Sequence, residues 1–200
     1  MSDLLDEHNK LFLADKIVCL IGFMGAGKTC IGKLLAQELS CEFLDMDQVI
    51  EEQENTTITE IFKDKGEKHF RRKERQVLKH LVYSTYNDNK LLIIASGGGT
   101  FISKANQKLI KQFKWKCSAE QNTSRWILIA LNPPFEVIYK RIKATQRPLI
   151  FRRSRKFIFN LWSLRYRQYQ YIAHLSISEI DTGAIFKTFN QRLRLLQNDL

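Results

Sequence analysis

The chain has 200 residues, 44% of them hydrophobic and 26% charged, which is typical of a globular protein with a sizeable core. No apolar run approaches the ~20 residues needed to span a bilayer. The first sixteen residues carry acids and lack the patterns of signal and transit peptides, so we expect one cytoplasmic domain, residues 1–200.

The net charge of +11 is concentrated in one segment of the chain. Between Val137 and Ser178 there are ten lysines and arginines and no aspartate or glutamate. Such a segment forms either a solvated basic face or a surface that meets polyphosphate or another anionic ligand. Because aromatic residues interleave with the cations, nucleic acid is a third interpretation.

Short apolar runs alternate with helical periodicities along the chain, which predicts an α/β fold with a mostly parallel sheet. The predicted strands are, in chain order, KIVCLIG, CEFLDMD, KLLIIASGGG, RWILIAL and HLSISEID. Helices are predicted over GKTCIGKLLAQEL, over residues 47–86, from after Ile102 to about Phe113, from Pro133 onward and over 183–197. A polar loop, WKCSAEQNTS, precedes the fourth strand, and Thr57 and Glu60 have the spacing of a capping box.

The stretch GFMGAGKT, residues 22–29, fits the phosphate-binding pattern G-x-x-x-x-G-K-[ST] between a predicted strand and a predicted helix. Glycines let backbone N–H groups turn toward phosphates, and the positive end of the helix faces them. Lys28 is expected to reach the β- and γ-phosphates and Thr29 to ligate Mg²⁺. The pattern predicts nucleotide binding without distinguishing a kinase, a GTPase-like switch and a simple binder.

Two carboxylates follow the second predicted strand. Asp45 and Asp47 are two residues apart, so on a strand their side chains would leave the same face. At the carboxyl end of a parallel sheet, Asp45 would hold a water on Mg²⁺ and Asp47 would act as base toward a substrate hydroxyl. The alternative is that either residue simply caps a helix.

Two further motifs have both a structural and a functional interpretation. Arg71 and Glu74, three residues apart on a helix, can brace each other, as on any salt-bridged helix face. Three consecutive glycines, Gly97 to Gly99, close the third strand. They indicate either a close approach of backbone to ligand or a tight turn.

Taken in order, GFMGAGKT, DMD, FRRKE, GGG and RPL resemble the shikimate kinase family from about Lys16 to Thr182. The resemblance implies a three-layer sandwich like that of the nucleoside monophosphate kinases, with a five-stranded parallel sheet in the order 2-3-1-4-5. It also implies a single P-loop kinase domain with a substrate-binding helical part at about 47–86 and a lid at about 146–161.

The activity implied by the resemblance is transfer of the ATP γ-phosphate to the 3-hydroxyl of shikimate, with Mg²⁺, in aromatic amino acid biosynthesis. The expected partners are therefore ATP and shikimate, with neither membrane nor nucleic acid. No extended apolar seam stands out, so we expect a monomer.

For the ATP side, the resemblance gives Lys28 and Thr29 their phosphate and Mg²⁺ roles and makes Asp45 the outer-sphere Mg²⁺ carboxylate. Arg147, in QRPL, is implied to be the lid arginine that closes on the phosphates. The expected ATP-binding residues are Gly25, Ala26, Gly27, Lys28, Thr29, Cys30 and Arg147.

For the acceptor side, Asp47 resembles the carboxylate on the shikimate hydroxyls and Arg71 the arginine that clamps the shikimate carboxylate. The glycine triplet resembles the family's triplet beside the substrate, with Gly98 as the expected contact. RYRQYQYIA aligns with the family's R-x-P-L-Y-x-x-x-A. This implies a second clamp at Arg165, the tyrosine at Tyr169 and the alanine at Ala173.

The chain departs from the family pattern at several points. Arg167 and Gln168 replace a Pro-Leu pair, Cys30 stands where a threonine is common, and KCSAEQNTSR is longer than usual. The lid segment is unusually basic and aromatic. A gluconate-type kinase and a catalytically degenerate nucleotide- or RNA-binding homologue are the alternative functions.

Overall fold

A computed structural model describes residues 4–85, 90–119, 125–145 and 147–198, except for the side chains of 112–119 and 198. Its strands are β1 Ile17–Ile21, β2 Glu42–Asp45, β3 Leu92–Ala95, β4 Trp126–Leu131 and β5 Leu175–Ile177. All neighbouring strands are parallel and their order is β2-β3-β1-β4-β5, which confirms the order implied by the resemblance.

Helices cover both faces of this sheet. They are α1 Glu7–Leu13, α2 Lys28–Glu38, α3 Met46–Glu54, α4 Ile58–Asp64, α5 Gly66–Ser84, α6 Lys104–Ala119, α7 Phe135–Ile142, α8 Arg155–Ile172 and α9 Thr182–Asn198. A single 3₁₀ turn, Thr100–Ile102, follows β3. Among the helices of the described residues, none has the length and hydropathy that a bilayer-crossing segment requires.

The central strands supply both halves of the core because successive side chains point to opposite faces of a sheet. Ile17, Cys19 and Ile21 of β1 belong to one buried cluster, while Val18 and Leu20 belong to the other. The first cluster also contains residues of α3, α5 and α8, and the second contains residues of α1, α2 and α9. The three-layer α/β architecture is thereby confirmed.

The region predicted to be helical throughout, residues 47–86, is mostly helical but is interrupted at residues 55–57 and at Lys65. Three helices, α3 to α5, occupy this region, and residue 86 lies outside the described residues. Asn55 ends α3 in the left-handed conformation, with φ 50°. Thr57 then begins α4 with the predicted capping box to Glu60. The interruption at 55–57 lets the chain change direction after α3, and residues of α3, α4 and α5 together line one pocket.

Two other boundaries differ from prediction. Helix α6 continues to Ala119, so the first part of the predicted polar loop 115–124 is helical, while 120–124 lie outside the described residues. Helix α7 begins at Phe135, with Pro134 as its N-cap, two residues later than the predicted start at Pro133. Neither proline lies within the helix; both belong to the turn that leads into it.

The predicted lid, 146–161, consists of two kinds of structure. Residue 146 lies outside the described residues, 147–154 form turns and a short connection, and α8 begins at Arg155. Residues 22–27 follow β1, Met46 and Asp47 follow β2, and Gly97 to Gly99 follow β3. The predicted motifs therefore meet at the carboxyl edge of the sheet, where open α/β folds bind ligands.

Candidate functional site

The loop after β1 has the backbone of a phosphate cradle. Gly25 and Gly27 have φ values of 78° and 101°, which residues with a Cβ rarely adopt. Helix α2 starts directly afterwards at Lys28, so its free N–H groups and positive dipole end face the loop. This arrangement suits an anion such as a nucleotide phosphate.

Lys28 is buried at the base of this loop. Its Nζ donates to the carbonyl oxygens of Gly22 at 3.0 Å and Phe23 at 3.1 Å. Burial lowers the pKa of Lys28 to about 8; the nearby Asp47 carboxylate opposes this shift, and the Arg147 cation adds to it. The ammonium group therefore remains largely protonated at neutral pH.

Asp45 links the phosphate loop to the next helix. Thr29 Oγ1 donates to Asp45 Oδ2 at 2.7 Å, and Asp45 Oδ1 accepts the backbone N–H of Asp47 at 3.0 Å. Asp45 is the last residue of β2 and the N-cap of α3, whereas Asp47 lies in the first turn of α3. The prediction that both side chains leave one face of a strand is therefore wrong; the helix turn brings them together instead.

Asp47 has one carboxylate oxygen without a hydrogen-bond partner among the described residues. This oxygen, Oδ1, is buried. Burial raises the pKa of Asp47 from 3.8 to about 6, with Lys28 opposing the shift and Asp45 and Glu74 reinforcing it. A carboxylate with such a pKa can be ionised at neutral pH and still accept a proton effectively.

Arg71 and Glu74 brace each other on α5, as predicted from their spacing. Arg71 Nη1 donates to Glu74 Oε2 at 2.9 Å. The other oxygen of Glu74, which is 1% exposed, accepts from Thr100 Oγ1 at 2.7 Å. The exposed residue Glu67 accepts from Arg71 Nε at 3.2 Å and from Nη2 at 3.1 Å. The guanidinium is thus fixed beside the glycine triplet.

The glycine triplet lies against charged side chains. A Cβ on Gly97 would stand 2.4 Å from Glu74 Oε1 and 2.8 Å from Asp47 Oδ1. A Cβ on Gly99 would stand 2.4 Å from Arg71 Nη1. Glycine is required here by close approach. Asp47 and Arg71 are predicted site residues, and Glu74 is the predicted partner of Arg71.

Two side chains of α8 hold the carbonyl of Gly98. Arg165 Nη1 donates to it at 2.9 Å and the Tyr169 hydroxyl at 2.6 Å. Both side chains are buried. Ala173 ends α8 and its N–H donates to the Tyr169 carbonyl at 3.0 Å, so it lies one turn beyond the site. Helix α8 thereby holds the triplet by its central carbonyl.

Two pockets meet at these residues. One, of about 480 Å³, is lined by residues 24–31, and the other, of about 370 Å³, by Arg71, Gly99 and Arg165. Met24, Asp47, Gly98 and Arg147 line both pockets. The structure therefore brings the predicted site residues together at two adjoining pockets. Residues 25–30 and Asp45 line the first pocket. Gly97 lines neither pocket but lies against Glu74 and Asp47.

The far wall of the first pocket was not predicted. It consists of Arg141, Glu179, Ile180, Thr182 and Ile185. Arg141 Nη1 donates to the Gly25 carbonyl at 3.0 Å, which ties α7 to the phosphate loop. The available signal was the predicted fifth strand, since residues just beyond the carboxyl end of a parallel strand face the ligand crevice.

Comparisons with known proteins identify the family of this chain. A family model described as Shikimate kinase matches residues 24–194. A shikimate kinase from Persephonella marina is 34% identical over 152 residues, which are 76% of this chain and 82% of that protein. A bifunctional shikimate kinase/3-dehydroquinate synthase from Thermotoga maritima is 32% identical over 171 residues, which are 84% of this chain but only 31% of that longer protein.

A solved structure, a shikimate kinase from Acinetobacter baumannii in complex with shikimate, aligns with a TM-score of 0.75 and 31% identity. The alignment covers 96% of this chain and 99% of that one. The chain belongs to the shikimate kinase family, whose members are ATP-dependent phosphotransferases.

Proposed function

We propose that the chain transfers the γ-phosphoryl group of ATP to the 3-hydroxyl of shikimate. The observation that carries this proposal is the junction of two pockets at Asp47, Gly98 and Arg147. Phosphoryl transfer requires the attacking and leaving oxygens to lie roughly in line. A donor pocket and an acceptor pocket that share one wall can place an acceptor hydroxyl beside the γ-phosphate.

The pocket lined by residues 24–31 is the proposed donor pocket. Backbone N–H groups of Gly25 to Gly27 and the start of α2 would bind the phosphates. Lys28 would exchange its two carbonyl partners for phosphate oxygens. Together with Arg147 it would offset the charge that develops on the transferring group.

Thr29 and Asp45 fit Mg²⁺ as the cofactor. Mg²⁺ prefers oxygen ligands and usually retains several waters, using few protein groups besides substrate phosphates. The Thr29 hydroxyl and the Asp45 carboxylate, 2.7 Å apart at the edge of the donor pocket, supply such oxygens, with Asp45 acting through a water. When bound, the ion supplies positive charge to the phosphate oxygens.

The pocket lined by Arg71 and Arg165 is the proposed acceptor pocket. Of the five N–H donors of a guanidinium, Arg71 uses three on Glu67 and Glu74. One hydrogen on each terminal nitrogen remains available to a planar carboxylate. Arg165 uses one donor on Gly98 and keeps its others for the same carboxylate.

Asp47 is the proposed base. Its unpartnered Oδ1 can accept the hydrogen of an acceptor hydroxyl that enters from the acceptor pocket. As the hydroxyl oxygen bonds to the γ-phosphorus, its proton passes to Asp47, and the bond to the β–γ bridging oxygen breaks to release ADP. Lys28 beside Asp47 keeps the carboxylate partly ionised despite burial.

Residues 147–154 are the proposed lid of a single P-loop kinase domain, and α3–α5 its substrate-binding part. The turn carries Arg147, which is exposed and lines both pockets. Closure over ATP would exclude water and limit wasteful hydrolysis. Because both pockets are lined by one chain, we propose that a monomer acts on these two small molecules.

An ADP-release assay with shikimate, gluconate or no added acceptor tests this proposal. We expect Mg²⁺-dependent turnover with shikimate and only background rates in the other two arms. Turnover with gluconate alone would favour the gluconate-type alternative, which the reported relatives do not support. Folded protein without any acceptor-dependent turnover would favour a catalytically degenerate homologue.

A further inference from the structure

A third pocket lies behind the turn that carries Arg147. It has a volume of about 360 Å³ and lies between the end of α7, the turn and the first turns of α8. Its lining residues are Tyr139, Ile142, Lys143, Ala144, Thr145, Ile150, Phe151, Arg152, Arg153 and Ile158. None of them belongs to the donor pocket, and only Thr145 also lines the acceptor pocket.

The charged groups of this pocket are all positive. Lys143, Arg152 and Arg153 line it, and no carboxylate does. Within the described part of the chain, none of the three forms an ion pair, whereas the neighbouring Arg155 pairs with Glu136. Surface cations that gather around a concavity without carboxylates attract anions into it.

The rim is also aromatic. The Arg152 guanidinium lies 5.2 Å from the centre of the Phe151 ring, and that of Arg153 lies 5.0 Å from the centre of the Phe157 ring. Stacking of this kind orients a guanidinium while leaving its N–H donors free in the plane. The two arginines are thereby oriented with hydrogen-bond donors available to a ligand.

The backbone at this rim is strained. Arg152 has φ 57°, the left-handed conformation that costs a non-glycine residue about 1 kcal/mol or more. Such strain persists where a particular side-chain direction is maintained and often occurs at ligand sites. The floor, by contrast, is apolar, with the buried residues Ile142, Ile150 and Ile158.

We propose that this pocket binds an organic anion whose apolar, preferably aromatic, body rests on the isoleucine floor while Lys143, Arg152 and Arg153 bind its phosphate or carboxylate. A concave pocket of this size, with a small apolar floor and several cationic groups at its rim, suits a small organic anion. This assigns a role to part of the basic, aromatic segment that the kinase reaction does not use.

Occupancy of the pocket would act on the lid. The Arg147 carbonyl accepts the N–H groups of Ile150 at 3.1 Å and Phe151 at 2.9 Å, and both residues line the pocket. A ligand that contacts this turn would change the position of Arg147 relative to the nucleotide. This second step rests on the proposed function of Arg147, and by linkage the nucleotide would change the ligand's affinity by the same factor.

Isothermal titration calorimetry with phenyl phosphate tests the site, with saturating MgADP and shikimate present to fill the donor and acceptor pockets. We expect one saturable site, which Arg152→Gln/Arg153→Gln weakens about tenfold or more through loss of charge-assisted hydrogen bonds. The matched control, Lys156→Gln/Arg167→Gln, removes the same charge from exposed positions of α8 outside the pocket and should change affinity less than twofold. Inorganic phosphate should bind about tenfold more weakly, because it cannot use the apolar floor.

Several results would overturn the assignment: the absence of saturable binding, equal weakening in both double variants, or equal affinity for inorganic phosphate. Coupling to the lid is tested by titrating MgADP with and without phenyl phosphate. A change in MgADP affinity is expected in the parent chain and not in Arg152→Gln/Arg153→Gln. An unchanged MgADP affinity in the parent chain would contradict the coupling while leaving the site in place, and neither titration requires turnover.

Discussion

At the residue scale, Asp47 and Lys28 show how burial adjusts two opposite charges for one reaction. Burial raises the pKa of the Asp47 carboxyl and lowers that of the Lys28 ammonium, while each group's charge opposes the shift of the other. The resulting values, about 6 and about 8, leave both groups charged at neutral pH. Asp47 can therefore accept a proton, and Lys28 can exchange its carbonyl partners for phosphate oxygens.

The pH dependence of kcat/KM for the acceptor should therefore have two limbs. Activity should fall about tenfold per pH unit below about 6, where Asp47 becomes protonated, and should fall again above about 8, where Lys28 loses its charge. Steady-state rates across pH 4.5–9.5 measure both limbs, the range being chosen to bracket them. An acid limb near pH 4, as for an unperturbed aspartate, would contradict the assignment of Asp47 as base.

Tyr169→Phe tests whether the hydroxyl on the Gly98 carbonyl positions the acceptor. Removing the 2.6 Å hydrogen bond leaves Arg165 as the one side-chain donor to that carbonyl among the residues that the structure describes. We expect the KM for shikimate to rise several-fold, while the KM for ATP stays within about twofold. Tyr166→Phe is the control, since its hydroxyl contacts Gln170 on the same helix. Equal changes in both KM values for Tyr169→Phe would indicate a general structural role.

Residue types in the motifs were predictable from the sequence, but their surroundings were not. Lys28 and Thr29 follow from the phosphate-loop pattern, because their spacing from the loop glycines is fixed. The hydrogen bond from Thr100 to Glu74 joins residues 26 positions apart. The role of Arg141 likewise depends on a contact with Gly25, 116 positions away. Sequence spacing does not report such contacts.

At the scale of single elements, the loop after β3 shows why three glycines occur in succession. Helix α5 presses the side chains of Arg71 and Glu74 onto it from one side, and α8 binds its carbonyl from the other. Side chains on the triplet would push these groups apart.

Gly97→Ala should therefore reduce turnover by about two orders of magnitude, since an added methyl would displace the Glu74 and Asp47 carboxylates by about an ångström. Gly183→Ala, in the first turn of α9, is the control, because the nearest atom to its added Cβ would be Asp181 Oδ1 at 3.2 Å. Steady-state kinetics and thermal unfolding of both variants make the comparison. Full activity of Gly97→Ala would show that the predicted contacts do not constrain the site.

The helices of the acceptor pocket show what sequence periodicity misses. Most of residues 47–84 are helical, so the general prediction holds for this part, but the chain turns at Asn55 and again at Lys65. Three side chains, Lys65, His69 and Lys73, then contact the Glu54 carboxylate and tie the three helices together. The left-handed conformation of Asn55 and the contacts of Glu54 depend on tertiary packing, which helical periodicity does not encode.

At the scale of the whole molecule, Arg125 holds together chain segments that meet at the amino-terminal edge of the sheet. It is 4% exposed, and its guanidinium donates to the carbonyls of Asp15 at 2.8 Å, Thr85 at 2.5 Å and Lys90 at 3.2 Å. These carbonyls precede β1, follow α5 and precede β3.

Arg125→Ala should reduce the free energy of unfolding by about 3 kcal/mol, because it leaves buried carbonyls without a donor and opens a cavity. Arg75→Ala, on the exposed face of α5, should change it by less than about 0.5 kcal/mol. Denaturant unfolding of both variants measures the difference. The KM values for ATP and shikimate should stay unchanged, since Arg125 lies at the opposite edge of the sheet from the site. A loss below about 1 kcal/mol would contradict this role.

The short apolar runs of the sequence predicted the α/β class and the five strands β1 to β5. The strand order came only from the family resemblance, because nothing local in β3 specifies that it pairs with β1 and β2. Pairing is decided by long-range packing of the two core clusters. The same reason explains why α1 was not predicted: its burial depends on α9, which lies at the other end of the chain.

Asp47→Asn tests the central claim, that donor and acceptor pockets meet at one carboxylate. The variant should fold at least as stably as the parent, because the raised pKa of Asp47 costs the folded state on the order of 3 kcal/mol at neutral pH. Calorimetry should find MgATP affinity within about threefold of the parent, since Lys28, Thr29 and Asp45 are retained.

The decisive measurement is kcat at saturating ATP and shikimate for Asp47→Asn. We predict a loss of about 10²–10⁴-fold, the range expected for removal of a general base. Turnover close to that of the parent at saturating ATP, accompanied by weakened ATP binding, would contradict the assignment of Asp47 as the base. It would indicate that Asp47 contributes to ATP binding alone.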